Sequence, residues 1–346
     1  MGFLSEEDAA ELRRMLDGAS IVVTGGTGSF GHAFTRRLFD VATPRRIIVL
    51  SRDELKQFEM QNETPYRGRE TMRFFIGDVR DEARLEIAFH DVDYVIHAAA
   101  LKHVPIAEYN PFECIKTNVI GAENVIRAAM SNRVKRVVAL STDKACNPVN
   151  LYGASKLASD KLFVAANAMS GSTRVRFSVV RYGNVLGSRG SVVPFFRKLL
   201  DENAASLPIT DTRMTRFIIT LREGVDCVLS SLVRMRGGEI FVPKIPSVKV
   251  TDIAEAMSPG IKLDEIGTRP GEKLHEAMIS EEEADNVADL GDRYAIEPQA
   301  RTFARRSFLE DGWPGVPDRF GYYSAKNEHW LDSQEFRKLL QEQGFV

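Results

Sequence analysis

A doubly wound α/β fold is what this sequence predicts: a parallel sheet (Rossmann type) covered by helices on both faces, with a smaller C-terminal lobe. Short apolar, largely β-branched runs recur through the first half, at residues 21–23 (IVV), 47–50 (IIVL), 74–76 (FFI), 94–96 (YVI), 137–140 (VVAL) and 177–180 (FSVV). Longer helical patterns separate them. Glycines crowd the turn after the first run, at Gly25, Gly28 and Gly31. Strands apolar on both faces belong in a sheet buried on both faces, and alternation with helices makes that sheet parallel. Ligands of such folds bind beyond the C-terminal ends of the strands.

Before the first strand, residues 5–16 are expected to form an amphipathic helix, with Ser5 as its cap and Asp8 three positions on. The glycine turn then opens a second helix running through Leu38. Its spacing is GxxGxxG. Glycines there give a tight turn, let backbone approach a pyrophosphate and let helix pack closely on strand. The helix N-terminus adds amide donors and partial positive charge. The second strand ends about twenty residues later, where a dinucleotide ribose is read. Ser51, Arg52 and Asp53 stand there. An acid suits a 2′-hydroxyl and an arginine suits a 2′-phosphate. Arg52 comes first, which favours NADP over NAD; Asp53 also fits as a cap of the next helix. Asp78, after the third strand, is a candidate adenine contact, or a helix cap together with Asp81.

The fifth strand runs into STDKACNPVNLYGASK. Tyr152 and Lys156 are four apart and share a helix face. A nearby ammonium favours phenolate, so the pair suits proton abstraction from an alcohol. Ser141, Thr142, Asp143 and Lys144 follow the strand directly, where substrate is expected. Alcohol oxidation needs only a phenol and a hydroxyl. An added acid and amine point to a further proton-transfer step such as elimination. Lys102 and His103 fall near the expected nicotinamide; His97 and His103 read better as packed or capping side chains than as ligands.

After Tyr182 glycine, proline and arginine become frequent. Residues 1–182 plus about 223–247 are expected to form the dinucleotide domain, and residues 183–222 plus about 248–346 the smaller lobe. A helix is expected near 223–235 and a last one near 333–343. At 346 residues the chain can bury a core without disulfides. The formal net charge of −2, without a basic block, gives no reason to expect a nucleic-acid or membrane partner. Cys114, Cys146 and Cys227 are scattered and form no CxxC pair, which fits a reducing cytoplasm and neither disulfides nor zinc. No metal site, signal peptide or membrane span is expected.

Seven runs, in order, carry a resemblance: TGGTGSFG, SRDELKQ, HAAALKHVPIAEYNP, STDKACNPVNLYGASK, GNVLGSRGSVVPFF, MTRF and GTRPGEKLHE. Over about residues 19–295 the chain resembles the inverting UDP-N-acetylglucosamine 4,6-dehydratases of the extended short-chain dehydrogenases, which open the pseudaminic acid route to flagellin glycans. Retaining hexose dehydratases have glutamate after the acid, where this chain has Lys144. A membrane-anchored or capsule group has methionine at the position of Tyr152. The resemblance implies NADP held by Gly25, Thr27, Gly28, Ser29, Phe30 and Gly31 on the first turn. It adds Ser51 and Arg52, then Asp78 and Val79, then Ala98, Ala99 and Lys102, with Tyr152 and Lys156 at the nicotinamide end.

For the reaction it implies Tyr152 as base on the sugar 4-hydroxyl, Thr142 holding that hydroxyl, and Lys156 holding the ribose and tuning Tyr152. Neutral Lys144 would take the C5 proton, and protonated Asp143 would release the 6-hydroxyl as water. Lys102, Asn184, Arg216, Arg269 and Glu272 would bind UDP-N-acetylglucosamine, the two arginines on its diphosphate and Glu272 on the uridine ribose. A homo-oligomer is implied, with a hexamer as one option. On the residues alone, a sugar-nucleotide 4-epimerase, a retaining dehydratase and a non-catalytic NADP-binding protein remain alternatives.

Overall fold

A computed structural model describes residues 2–188, 190–299 and 303–346. Arg189, inside the GNVLGSRGSVVPFF run, lies outside the described residues. The six apolar runs become six strands: β1 (Ser20–Thr24), β2 (Arg46–Ser51), β3 (Met72–Ile76), β4 (Tyr94–His97), β5 (Arg136–Thr142) and β6 (Arg176–Tyr182). Their spatial order is β3-β2-β1-β4-β5-β6, and all are parallel. This is the dinucleotide-fold order, and direction reverses between β1 and β4. Val22 pairs with Ile48 on one side and Val95 on the other, and all three are fully buried.

Crossovers between parallel strands are right-handed, so helices joining β1 to β2 and β4 to β5 fall on opposite faces. On one face the helices Ser29–Val41 and Leu221–Arg234 pack together, joined by Glu6–Leu16. On the other, Gly121–Ser131 packs against Leu151–Met169. Ser5 accepts from the Asp8 amide and caps the first helix. The helix expected near 223–235 starts at Leu221, where Thr220 and Glu223 form a reciprocal capping box.

The sheet continues past β6. Strand Ile240–Pro243 adds in parallel, then Arg293–Ile296 and Val287–Asp289 add antiparallel, giving nine strands. The stretch after residue 248, expected wholly in the smaller lobe, therefore divides: residues 287–296 return to the large sheet. Arg293 on that returning strand is fully buried and donates to the Phe3 carbonyl and to Asp292. Arg234 grips Asp8 at 2.7 Å.

The smaller lobe has its own apolar core, in which Leu186, Phe196, Leu207, Ile253, Phe336 and Leu340 meet. It holds a three-stranded sheet of Asn184–Val185, Thr215–Ile219 and Ser247–Lys249. The final helix, Ser333–Glu342, packs there on Val250–Met257. No helix among the described residues is long and apolar enough to cross a membrane.

Candidate active site

A cavity of about 1030 Å³ opens at the C-terminal ends of β1 to β6, between the sheet and the smaller lobe. Its floor is the glycine turn. Gly25 has φ +66°, and a Cβ there would come within 2.8 Å of the Ala99 amide. Gly28 is the N-cap of helix Ser29–Val41. Both line the cavity with Thr27, Ser29 and Phe30. Gly31 does not line it. It faces the turn from behind, where a Cβ would lie 2.2 Å from the Gly26 carbonyl oxygen. Its part is helix-on-strand packing.

At the far end Ser51, Arg52, Asp78 and Val79 line the cavity. Asp53 is taken up as a helix cap: its carboxylate accepts from the Lys56 amide and lies 2.9 Å from Lys56 Nζ. Asp78 accepts from the Arg80 backbone and side chain and lies 3.8 Å from Arg52. Asp81, not Asp78, caps the following helix. Lys56 and Arg80 add positive charge that sequence reasoning left out. Ala98, Ala99 and Lys102 line the middle of the cavity, and burial pulls the Lys102 ammonium below its ordinary pKa.

At the inner end β5 delivers Thr142, Asp143 and Lys144, and the helix Leu151–Met169 delivers Tyr152 and Lys156. All five side chains line the one cavity. Gly153 lets this helix start flush against the β5 turn, since a Cβ there would lie 2.2 Å from the Lys144 carbonyl oxygen. Thr142 Oγ1 donates to Asp143 Oδ1 at 2.9 Å, and Lys144 Nζ reaches the same oxygen at 3.1 Å. Lys144 Nζ also lies 3.3 Å from Glu276 Oε1. Asp143 Oδ2 and Glu276 Oε2 are buried without a hydrogen-bond partner.

These contacts correct two expectations. Lys144 is not depressed: burial pulls it down, but Asp143 and Glu276 outweigh burial and hold its pKa above the usual lysine value. It is an ammonium here. Tyr152 is not lowered by Lys156. Burial pushes its phenol up to about 12, opposed by the Lys144 charge and a hydrogen bond with Thr142. Lys156 is buried and pulled down by that burial, while Asp160, one turn on, supports its charge. The expectation for Asp143 holds in direction: burial raises it, and Glu276 raises it further.

Asn184, Arg269 and Glu272 line the smaller-lobe side of the cavity. Arg216 does not. Its guanidinium donates to the Thr215, Leu274 and Lys273 carbonyls and stands 3.9 Å from Glu276. It backs the site from within the lobe. Glu276 sits in the quoted GTRPGEKLHE run without a role, because no sequence spacing links it to Lys144. No group of three His, Cys, Asp or Glu among the described residues is arranged to hold a metal.

The "Polysaccharide biosynthesis protein" family model matches residues 21–298. A Campylobacter jejuni protein described as "UDP-N-acetylglucosamine 4,6-dehydratase (inverting)" is 55% identical, covering 94% of this chain and 98% of that one. A Rickettsia canadensis protein described as "UDP-glucose 4-epimerase" is 40% identical, covering 93% and 95%. Among solved structures, Pen from Bacillus thuringiensis superposes with a TM-score of 0.86 at 33% identity, over 96% of this chain and 99% of that one. With a family model spanning the sheet and most of the cavity, this chain belongs to the polysaccharide biosynthesis protein family of Rossmann-type sugar-nucleotide enzymes.

Proposed function

We propose that the chain is an inverting UDP-N-acetylglucosamine 4,6-dehydratase that uses NADP catalytically and returns it unchanged. The observation that carries this reading is the Asp143–Lys144 pair in one cavity with Tyr152 and Lys156. The name of the Campylobacter relative supports it. The residues fit a dinucleotide. Gly25 and Gly28 leave room for pyrophosphate at a helix N-terminus, where amides and the helix dipole favour anions. Arg52 at the cavity edge, with the neighbouring Asp53 carboxylate already engaged as a helix cap and by Lys56, supports the 2′-phosphate of NADP.

When bound, the nicotinamide ring supplies a place to store hydride from sugar C4 until it is delivered to C6. Tyr152 takes the 4-hydroxyl proton, steadied by Thr142. Lys144 acts next as base at C5, and it must first lose a proton. Its contact with Asp143 at 3.1 Å provides the route. One proton passed from Lys144 to Asp143 leaves a neutral amine and a carboxylic acid together. The amine takes the C5 proton, the C5–C6 double bond forms, and the acid gives its proton to the departing 6-hydroxyl, which leaves as water. Lys102, Asn184, Arg269 and Glu272 would bind the nucleotide sugar, a role supported by their lining the cavity.

A second reading, a 4-epimerase, has the Rickettsia relative's name in its favour. Epimerisation needs no elimination base, which favours the dehydratase. Purified protein incubated with NADP and UDP-N-acetylglucosamine in deuterated water separates the two. Loss of one water by mass spectrometry, with deuterium at an inverted C5 by NMR, is the expected result. A product that keeps the water and differs only at C4 overturns it.

A further inference from the structure

We propose that Glu276 is a positioning residue for the elimination half of the reaction: from the smaller lobe it grips Lys144 together with Asp143 and fixes how protons are shared within that pair. The inference rests on the dehydratase reading and assigns a residue which that mechanism leaves unused.

The geometry is built for it. Glu276 is 2% exposed, and its Oε1 lies 3.3 Å from Lys144 Nζ. Its backbone is pinned on both sides to the buried Ser324: its amide donates to Ser324 Oγ at 2.9 Å, and its carbonyl accepts from the Ser324 amide at 2.8 Å. Ser324 Oγ is in turn 2.7 Å from Thr215 Oγ1. Arg216, fixed by three backbone carbonyls, stands 3.9 Å behind the carboxylate. A carboxylate held this firmly, with one oxygen unpartnered in a buried site, is costly unless its charge is used.

The charges around it are Lys144, Asp143, Arg216 and Lys273, whose Nζ is turned to the Cys146 carbonyl. His275, its neighbour in sequence, faces Thr215 and Asp211. Burial works against ionisation of Glu276, but Lys144, Arg216 and Lys273 together hold it low, whereas Asp143 is held high. With Glu276 held ionised, the proton that Lys144 gives up goes to Asp143 rather than to Glu276, and Asp143 is the group that must donate to the leaving hydroxyl. Removing one anion lowers the pKa of both neighbours: Asp143 loses its proton more easily, and so does Lys144. Both limbs of the elimination profile then move to lower pH. Tyr152 answers to Lys144, Thr142, Asp143 and Asp160 instead, so oxidation at C4 is not tied to Glu276 directly.

The test compares Glu276→Gln and Glu276→Asp with the parent, each first shown to bind NADP with the parent Kd. Water loss from UDP-N-acetylglucosamine is followed against pH by mass spectrometry. Nicotinamide reduction is followed with the 6-deoxy analogue of that substrate, which can be oxidised at C4 but has no 6-hydroxyl to lose. The expected result for Glu276→Gln is a water-loss profile displaced to lower pH by about 1–3 units, with reduction by the analogue within about twofold of the parent. Glu276→Asp, which keeps the charge one methylene further back, should be displaced less in the same direction. A profile superimposable on the parent's in either variant overturns the proposal, and so does equal loss of both half-reactions. A parent that releases no water overturns the dehydratase reading instead.

Discussion

The Asn150 side chain donates to the Gly271 carbonyl at 2.7 Å while its own oxygen caps the helix bearing Tyr152, accepting from the Gly153 amide at 2.7 Å. One amide thus ties the start of that helix to the loop carrying Arg269 and Glu272. Asn150→Ala removes both bonds. The cap alone is worth about 1 kcal/mol, and the loop bond about as much again. The expected outcome is a KM for the nucleotide sugar raised about fivefold to tenfold, with NADP Kd unchanged. Steady-state kinetics and a cofactor titration check it; an unchanged KM speaks against the tether.

Lys144→Ala and Tyr152→Phe should fail at different stages. The first keeps NADP binding and loses water release by about 10²–10⁴-fold. The second loses nicotinamide reduction itself by a similar factor. Mass spectrometry of the product and nicotinamide absorbance separate them. Undiminished release of 4-keto product by Lys144→Ala would remove the base assignment.

In the proposed mechanism Tyr152 works as phenolate, and burial holds its phenol up at about 12. The ionised fraction therefore grows as pH rises towards that value, and kcat/KM for oxidation at C4 should climb through the neutral and alkaline range. Lys144 pulls the same phenol down, so Lys144→Met should move this limb to higher pH. A pH profile of nicotinamide reduction in the two proteins is the check. Coincident limbs would mean that the ammonium does not act on Tyr152.

Arg52 lies at the cavity edge within 3.8 Å of Asp78. A charged hydrogen bond to a 2′-phosphate is worth about 1.5–3 kcal/mol, so Arg52→Gln should weaken NADP binding about tenfold to a hundredfold. NAD, which lacks that phosphate, should bind nearly as before. Equal weakening of both dinucleotides would move recognition of the phosphate elsewhere, with Lys56, which also lines the cavity, the first candidate.

The fold and the site differ in how much of them the sequence makes legible. Six strands were readable because buried parallel strands are apolar on both faces and stand out from their helices. Residues 287–296 were not, since the short antiparallel strand Arg293–Ile296 mixes a buried arginine with its apolar positions. Tyr152, Lys156, Asp143 and Lys144 were readable because chain neighbours and one helix turn bring them together. Their protonation was not. It depends on Glu276, brought to Lys144 by tertiary packing alone. The family resemblance put Arg216 on the diphosphate, yet its two terminal nitrogens donate to three carbonyls of its own lobe.

The first helix reaches the far rim of the sheet through two arginines. Arg293 takes the Phe3 carbonyl and Arg234 takes the Asp8 carboxylate, and Asp292 touches both guanidinium groups. The two ends of the strand series are thereby bolted at one point, and none of these residues lines the cavity. Trimming the first eight residues to make a tidier expression clone would take one partner from each of the two cations and leave Asp292 to hold both. The damage would show as an unravelling antiparallel edge in hydrogen exchange, well before any loss in the glycine turn.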